Sequence, residues 1–392
     1  MKNNPVRVLY SFPHKLGADR ICYTAWQQVN GLAYAGADLL AFPGVLHRPV
    51  PSSVKVKPTL AWGKLRISYK MIGVMRALAF HDQIVAHRIK DLVGNIDIIH
   101  LWPAAAVQTL KAAAKLGIPT VLERPNAHTR FAFETVGKEF QRLGIVMPPD
   151  DEYSFKPDLL KREEEEYNLA DYILCPSDFT VRTFLDQGIP GKKLKRHIYG
   201  YDEKVYFPDN NGRDPSAGLN ILFVGVCAVR KGVHFALEAW LNSPASRKGT
   251  FRIAGEFLPA YAERLSGMLS HSSVKVLGHR NDVHELMRKS DILVLPSIEE
   301  GFGLVVAEAM GSGCVPLISE ACTDICKHMA NGLVHPIGDV KTLEKHMTIL
   351  HEDRALLARL RAGALASAPE FTWNAAGIKL HQVYRDILAN KQ

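Results

Sequence analysis

No run of about 18 residues is continuously apolar, so no segment suits a helix crossing a bilayer. No Cys-x-x-Cys occurs, and Cys22, Cys175, Cys227, Cys314, Cys322 and Cys326 lie scattered. That spacing argues against a zinc site or a disulfide framework and for buried, reduced thiols. No Asp-x-Asp is present to clamp a metal-bound diphosphate. No Gly-x-Gly-x-x-Gly follows the first strand-like run, where Ser11-Phe12-Pro13-His14-Lys15-Leu16-Gly17 stands instead; a nicotinamide dehydrogenase is thereby disfavoured. Acid is scarce in one region: residues 41–90 hold nine basic residues and a single acid, Asp82.

What is there reads as a globular protein. Of 392 residues, 47% are apolar and 22% charged, enough to fill sizeable cores and exclude wholesale disorder. The net charge of +8 falls wholly in residues 1–200, and the second half is neutral. Such asymmetry points to an anionic partner of the first half, namely a phosphorylated acceptor or a membrane surface; nucleic acid is not expected. Met1–Pro5 runs straight into a strand-like segment without an apolar signal core. The expectation is a cytoplasmic protein, with peripheral contact at the inner face of the membrane as an option.

Strand-like and helical stretches alternate throughout. In the first half, strands are expected at Val6–Tyr10, 39–42, 96–101, 120–122 and 172–175, with a turn at Ser11–Pro13. Helices are expected from Ile21 and near 69–91, 104–116, 158–170 and 178–187. The second half repeats the scheme, with strands at 221–224, 251–254, 274–277, 292–295 and 315–318. Its helices are expected at 233–241, 259–269, 283–289, 304–310 and 342–350. Alternation of this kind implies parallel sheets covered on both faces, which take ligands beyond the carboxyl ends of their strands. The polar stretch 207–216 reads as the linker, giving domains at 1–207 and 214–370 and a final helix near 373–392. The acidic run Glu163–Glu166 reads as the solvated face of a helix.

The densest chemistry lies in Pro296-Ser297-Ile298-Glu299-Glu300-Gly301-Phe302-Gly303-Leu304-Val305-Val306-Ala307-Glu308. A buried-type strand enters a loop, Gly301 and Gly303 allow close backbone approach, and a helix opens near Leu304. Its first amides and positive dipole end favour an anion or hydroxyls, and Glu300 and Glu308 can accept bonds from sugar or ribose hydroxyls. A second strand, loop and helix start, Leu222–Gly225 followed by Arg230-Lys231-Gly232, brings two cations suited to a diphosphate.

Here the sequence resembles the family-4 retaining glycosyltransferases, built from two Rossmann-like domains in the GT-B fold. The resemblance rests on Glu300 to Glu308 in the form E-G-F-G-L-x-x-x-E-A-M, on Ala254-Gly255, and on Leu277-Gly278-His279. It extends to Ser290–Ser297, Asn331–Asp339, Ala170–Ser177 and Ile198–Asp202. It implies a doubly wound α/β protein with the donor site in the cleft between the domains. Lys231 would bind the donor diphosphate, joined by Arg230 because Val226 stands where many members carry Arg. Glu300 would contact the transferred sugar, with Gly301, Phe302, Gly303 and Leu304 near sugar and phosphate, and Glu308 would hold the ribose. Gly278 and His279 would lie near the base, and Gly17 would face the donor from the first domain. His128 would be the active-site histidine near the sugar, with His100 as runner-up. The implied activity moves a sugar from a nucleotide-diphosphate sugar to a glycan, lipid-linked or other anionic acceptor, with no metal and no cofactor. A phosphorylase, a sugar-nucleotide epimerase or a non-catalytic assembly subunit on the same fold is the alternative.

Overall fold

The computed structural model describes residues 5–63, 65–67, 69–209 and 218–390. The linker expected at 207–216 therefore falls mostly outside the described residues. The first half carries strands β1 (Arg7–Leu16), β2 (Asp38–Leu46), β3 (Lys55–Val56), β6 (Ile98–Leu101), β7 (Thr120–Glu123), β8 (Tyr172–Cys175) and β9 (Leu194–Arg196). They form one parallel sheet in the order β3-β2-β1-β6-β7-β8-β9. A small antiparallel pair, β4 (Ala61–Trp62) and β5 (Leu65–Arg66), lies beside it in sequence. The second half carries β10 (Asn220–Val224), β11 (Thr250–Ala254), β12 (Val274–Gly278), β13 (Ile292–Leu295), β14 (Val315–Ser319) and β15 (Leu333–His335). Their order is β12-β11-β10-β13-β14-β15, again parallel. In both sheets the order reverses beside the first strand, which opens a crevice at the carboxyl ends.

Strand β1 does not stop at Tyr10. It runs on to Leu16, with the pairing to β2 slipping between Phe12 and Lys15. Pro13 is accommodated in that irregularity, where no ladder donor is required. Gly44 of β2 crosses so close that a Cβ there would sit 2.2 Å from the Pro13 carbonyl oxygen. The expected helix at 69–91 is interrupted at Gly73, whose φ is 83°, and resumes over Val74–Arg88.

Helices bury apolar stripes against both faces of the first sheet. One face gathers Val8, Tyr10, Val29, Leu32 and Val121 together with Leu380, Tyr384 and Ile387. The final helix, Trp373–Ala389, thus lies on the first domain, although it follows the second in sequence. The other face gathers Leu9, Phe42, Val85, Ile99, Leu110 and Phe184. The second domain has one core around Phe223, Trp240, Phe251 and Leu293. That core continues into the first domain through Val136, Phe140, Leu143, Tyr153 and Tyr199. An apolar junction of this kind holds domains in a defined relation better than a polar one.

The run Glu163–Glu166 is not a solvated face. Glu166 is fully buried and accepts the Ala104 and Ala106 amides at 2.8 and 2.9 Å. Glu163 pairs with buried Arg124 at 3.2 Å, and Glu164 and Glu165 pair with Arg130 and Lys111. The carboxylates tie the loop after β6 and the loop after β7 to the helix Pro157–Leu169.

Candidate active site

Two loops of the second sheet converge. After β10, Val229–Lys231 makes a single tight turn ending at Gly232, whose φ is 66°. A Cβ on Gly232 would lie 2.1 Å from the Pro296 carbonyl oxygen, so a side chain there would force the two loops apart. After β13, the chain passes through Glu299–Gly303 into the helix Leu304–Gly311, with Gly303 at φ 67°. The Ile298 amide donates to the Arg230 carbonyl at 2.8 Å and stitches the loops together.

Lys231 and Glu300 meet through Nζ and Oε2, both side chains largely buried. Arg230 Nη1 lies 3.6 Å from the same Glu300 oxygen and 3.7 Å from Glu299 Oε2, and donates to the Glu299 carbonyl at 3.3 Å. Burial works to raise the Glu300 carboxyl, but Lys231 and then Arg230 outweigh it and hold the group below its ordinary value. Glu300 is therefore an anion, and Lys231 is already satisfied by it. Glu308 is different: burial pushes its carboxyl up to about 7, and a bond from the Tyr206 hydroxyl offsets this only in part. Among the described residues, no cation acts on it as Lys231 and Arg230 act on Glu300.

The structure thus brings together Arg230, Lys231, Glu300 and Gly301–Leu304. Gly301 packs against the first domain: a Cβ would meet the Pro125 carbonyl oxygen at 1.5 Å. Phe302 is buried, its ring edge-on to Tyr199 at 5.6 Å. Gly278 ends β12 with φ 65°, and exposed His279 lies 3.2 Å from Asn281 Oδ1. Gly17 ends β1 at φ 89° and packs on Arg48. It makes no recorded contact with the Lys231–Glu300 cluster among the described residues.

His128 stands at a helix start of the first domain. It caps the helix Thr129–Leu143, with Nδ1 accepting the Arg130 amide at 3.2 Å. Its ring lies 5.0 Å from both Tyr167 and Phe184. Burial first, and then Arg124 and Arg130, lower its pKa to about 3, so it is a neutral imidazole. The ring packs on first-domain aromatics, while the preceding Ala127 amide meets Glu299 of the donor loop. His100 is also internal: Nδ1 meets the Tyr384 hydroxyl at 2.6 Å and Nε2 stands 3.5 Å from Glu123.

The sequence reading did not find Glu299 or Tyr153. Glu299 is fully buried and accepts the Ala127 amide at 3.1 Å and the Tyr153 hydroxyl at 2.7 Å. It also did not find a buried network under the first-domain side of the cleft. There Glu123 accepts from Gln28 at 2.8 Å and from Tyr199 at 2.7 Å, while Gln28 accepts from Tyr10 at 2.6 Å. All six cysteines are free.

Two Rossmann-like domains with a cation and carboxylate cluster at the carboxyl ends of the second sheet define a GT-B protein. Residues 218–353 match the family described as glycosyl transferases group 1, so the second domain is a glycosyl transferases group 1 domain. Among curated proteins, the chain is 31% identical over 124 residues to N,N'-diacetylbacillosaminyl-diphospho-undecaprenol alpha-1,3-N-acetylgalactosaminyltransferase of Campylobacter jejuni, covering 31% of this chain and 33% of that one. With the first curated relatives it matches, the chain shares only about a third of their length. Among solved structures, sucrose-phosphate synthase of Thermosynechococcus elongatus superposes with a TM-score of 0.69 at 16% identity, covering 99% of this chain and 100% of that one. HepE of Anabaena in complex with UDP-glucose superposes with a TM-score of 0.64 at 16% identity, covering 98% and 99%. At such identities the structural likeness establishes the fold alone.

Proposed function

We propose that the protein is a retaining glycosyltransferase that moves a sugar from a nucleotide-diphosphate sugar to a glycan, lipid-linked or other anionic acceptor. The observation that carries this is the Lys231–Glu300 pair at the start of the helix Leu304–Gly311. Transfer builds negative charge on the departing diphosphate and positive charge at the anomeric carbon. Lys231, in a largely dry cleft, stabilises the first, and the helix-end amides add to it. Glu300, an anion beside it, accepts bonds from the sugar hydroxyls. Lys231 and Glu300 neutralise each other, and the donor diphosphate takes the place of the carboxylate on Lys231. Glu308 takes the ribose hydroxyls. Protein cations and a helix end do what a divalent ion does elsewhere, so the reaction needs neither metal nor cofactor.

The acceptor side is the first domain. Arg76 and Arg88 are exposed near opposite ends of the helix Val74–Arg88, Arg76 beside exposed Val74 and Met75. A cavity of ≈ 770 Å³ is lined by Phe42, Lys57, Phe80, Ile84 and Arg88 among others. Neither Lys57 nor Arg88 forms an ion pair among the described residues. Apolar walls with free cations at the rim suit an anionic group carried on an apolar chain. The Campylobacter relative's own name includes such a carrier, a diphospho-undecaprenol.

The test is a thermal-shift and turnover screen of sugar nucleotides on the intact chain. A donor at a hundred times its Kd stabilises the fold by about 2.7 kcal/mol. With that donor, Lys231→Ala is expected to cost roughly 10²–10³-fold in turnover, comparable to losing one preorganised transition-state donor. EDTA is expected to leave the parent unchanged. Unaltered turnover in Lys231→Ala would refute the site, and loss on chelation restored by Mg²⁺ or Mn²⁺ would refute the metal-free reading.

A further inference from the structure

Among the contacts between the donor loop and the other domain, Glu299 makes two side-chain hydrogen bonds. Its Oε1 accepts the Ala127 amide at 3.1 Å, and its Oε2 accepts the Tyr153 hydroxyl at 2.7 Å; both donors belong to the first domain. The carboxylate is fully buried, so each bond is worth more than a surface contact and its loss leaves an uncompensated group. Tyr153 and Glu299 also reach Arg230. Its guanidinium lies 5.2 Å over the Tyr153 ring and 3.7 Å from Glu299 Oε2, and the neighbouring Glu152 carboxylate stands 3.5 Å from its Nε. Arg230 is thus enclosed by a first-domain strap, Glu152-Tyr153, and by the donor loop. It is not a cation left open for the diphosphate.

We propose that Glu299 and Tyr153 are positioning residues: they clasp the first domain to the donor loop and, by fixing Arg230, hold Glu300 where the transferred sugar needs it. The role in catalysis rests on the glycosyltransferase reading above, whereas the clasp itself does not. Three contacts converge on one buried carboxylate, beside the place where Gly301 packs on Pro125. The division of labour is then distinct. Lys231 meets the leaving diphosphate, Arg230 braces the loop, and Glu299 joins loop and strap.

The experiment uses the full chain with Tyr153→Phe, which removes one hydroxyl and keeps the ring under Arg230, and Glu299→Gln, which keeps the shape and removes the charge. Amide hydrogen exchange at Ala127 and across 150–154 reads the clasp without any substrate. We expect exchange at Ala127 to rise about tenfold or more in Glu299→Gln, as loss of one buried charge-assisted bond implies. Tyr153→Phe is expected to loosen 150–154 by a similar factor. With a donor identified by the screen, both variants are expected to lower kcat by roughly 10–10²-fold with the donor KM changed little, the mark of misplacement and not of lost binding. Unchanged exchange in both variants would overturn the clasp. Faster exchange with parental kcat would overturn the positioning role and leave only a structural bond. Should Glu299→Gln fail to fold, Tyr153→Phe alone decides, since a core phenol losing its hydroxyl keeps its packing. Failure of every sugar nucleotide to turn over would count against the glycosyltransferase reading and leave the exchange result standing.

Discussion

Glu308 and Glu300 are eight residues apart, one helix start serves both, and their surroundings shift them in opposite directions. Glu300 has Lys231 and Arg230 to hold it ionised, while Glu308 has burial and one tyrosine hydroxyl, and sits at about 7. If Glu308 must be ionised to accept two ribose hydroxyls, donor affinity follows its ionised fraction. A sugar nucleotide, whose diphosphate does not titrate near neutrality, is then expected to bind about tenfold more tightly at pH 8 than at pH 6. In Glu308→Gln that dependence is expected to flatten. Calorimetric titration at several pH values checks both, and a parental pH dependence in the variant would assign the titration to another group. The folding linkage has its own sign. A carboxyl raised in the folded state lowers stability as pH climbs from its unfolded value, about 4.5, through its folded one, so Glu308 disfavours the empty fold above neutrality. Glu300 and the two glycines were legible because the motif repeats a strand, loop and helix start with little freedom in between. Glu299 was not, because nothing in Glu-Glu says which carboxylate faces the sugar and which faces the other domain. Tyr153 lies in an irregular stretch whose sequence cue is only two aromatics, Tyr153 and Phe155, after three acids.

At the scale of elements, most strands and helices were readable from alternation, because apolar period and turn residues agree there. The helix Thr129–Leu143 was not anticipated, although Phe133, Val136, Phe140 and Leu143 follow a helical spacing. Gly137 interrupts that run and weakens the signal. This helix carries the first-domain half of the apolar junction, so the missing element concealed how the domains meet. Glycines in two helices give opposite expectations. At Gly377 a Cβ would lie 2.4 Å from the Gly31 backbone, where the final helix crosses the helix Ile21–Tyr34. Gly377→Val is expected to destabilise by about 1–3 kcal/mol through overpacking at a contact that neither backbone can leave. At Gly137 nothing lies within 4 Å of a Cβ and the backbone is helical. Gly137→Ala is expected to stabilise by about 0.5–1 kcal/mol through helix propensity and a less flexible unfolded chain. Denaturant midpoints for the two variants check the signs, and a parental midpoint for Gly377→Val would mean that the two helices can separate without cost.

At the scale of the whole molecule, charge and chemistry divide between the domains. The neutral second domain holds the cation and carboxylate cluster, and the first carries the net +8. Sequence composition revealed that asymmetry but not its shape, since which cations stay unpaired depends on the fold. Lys55 is spent on Asp38 at 3.6 Å, and Arg48 approaches Asp19 at 3.8 Å. Lys57, Arg76 and Arg88 have no such partner among the described residues. Lys64, another of the nine basic residues of 41–90, lies outside them. An anionic acceptor approaching the first domain meets these free charges, and a surface attraction of this kind is screened within about 8 Å at physiological ionic strength. Lys57→Gln, Arg76→Gln and Arg88→Gln together are expected to raise the acceptor's KM several-fold and to leave the donor's unchanged, because the donor touches the other domain. Added salt is expected to raise the parent's acceptor KM and to act more weakly on the triple variant. Co-sedimentation with vesicles separates the sources of the anion: attachment that requires anionic lipid assigns the charges to a membrane surface. If acceptor kinetics and vesicle binding both ignore the three changes and the salt, the basic region is ordinary solvated surface and the acceptor is recognised elsewhere.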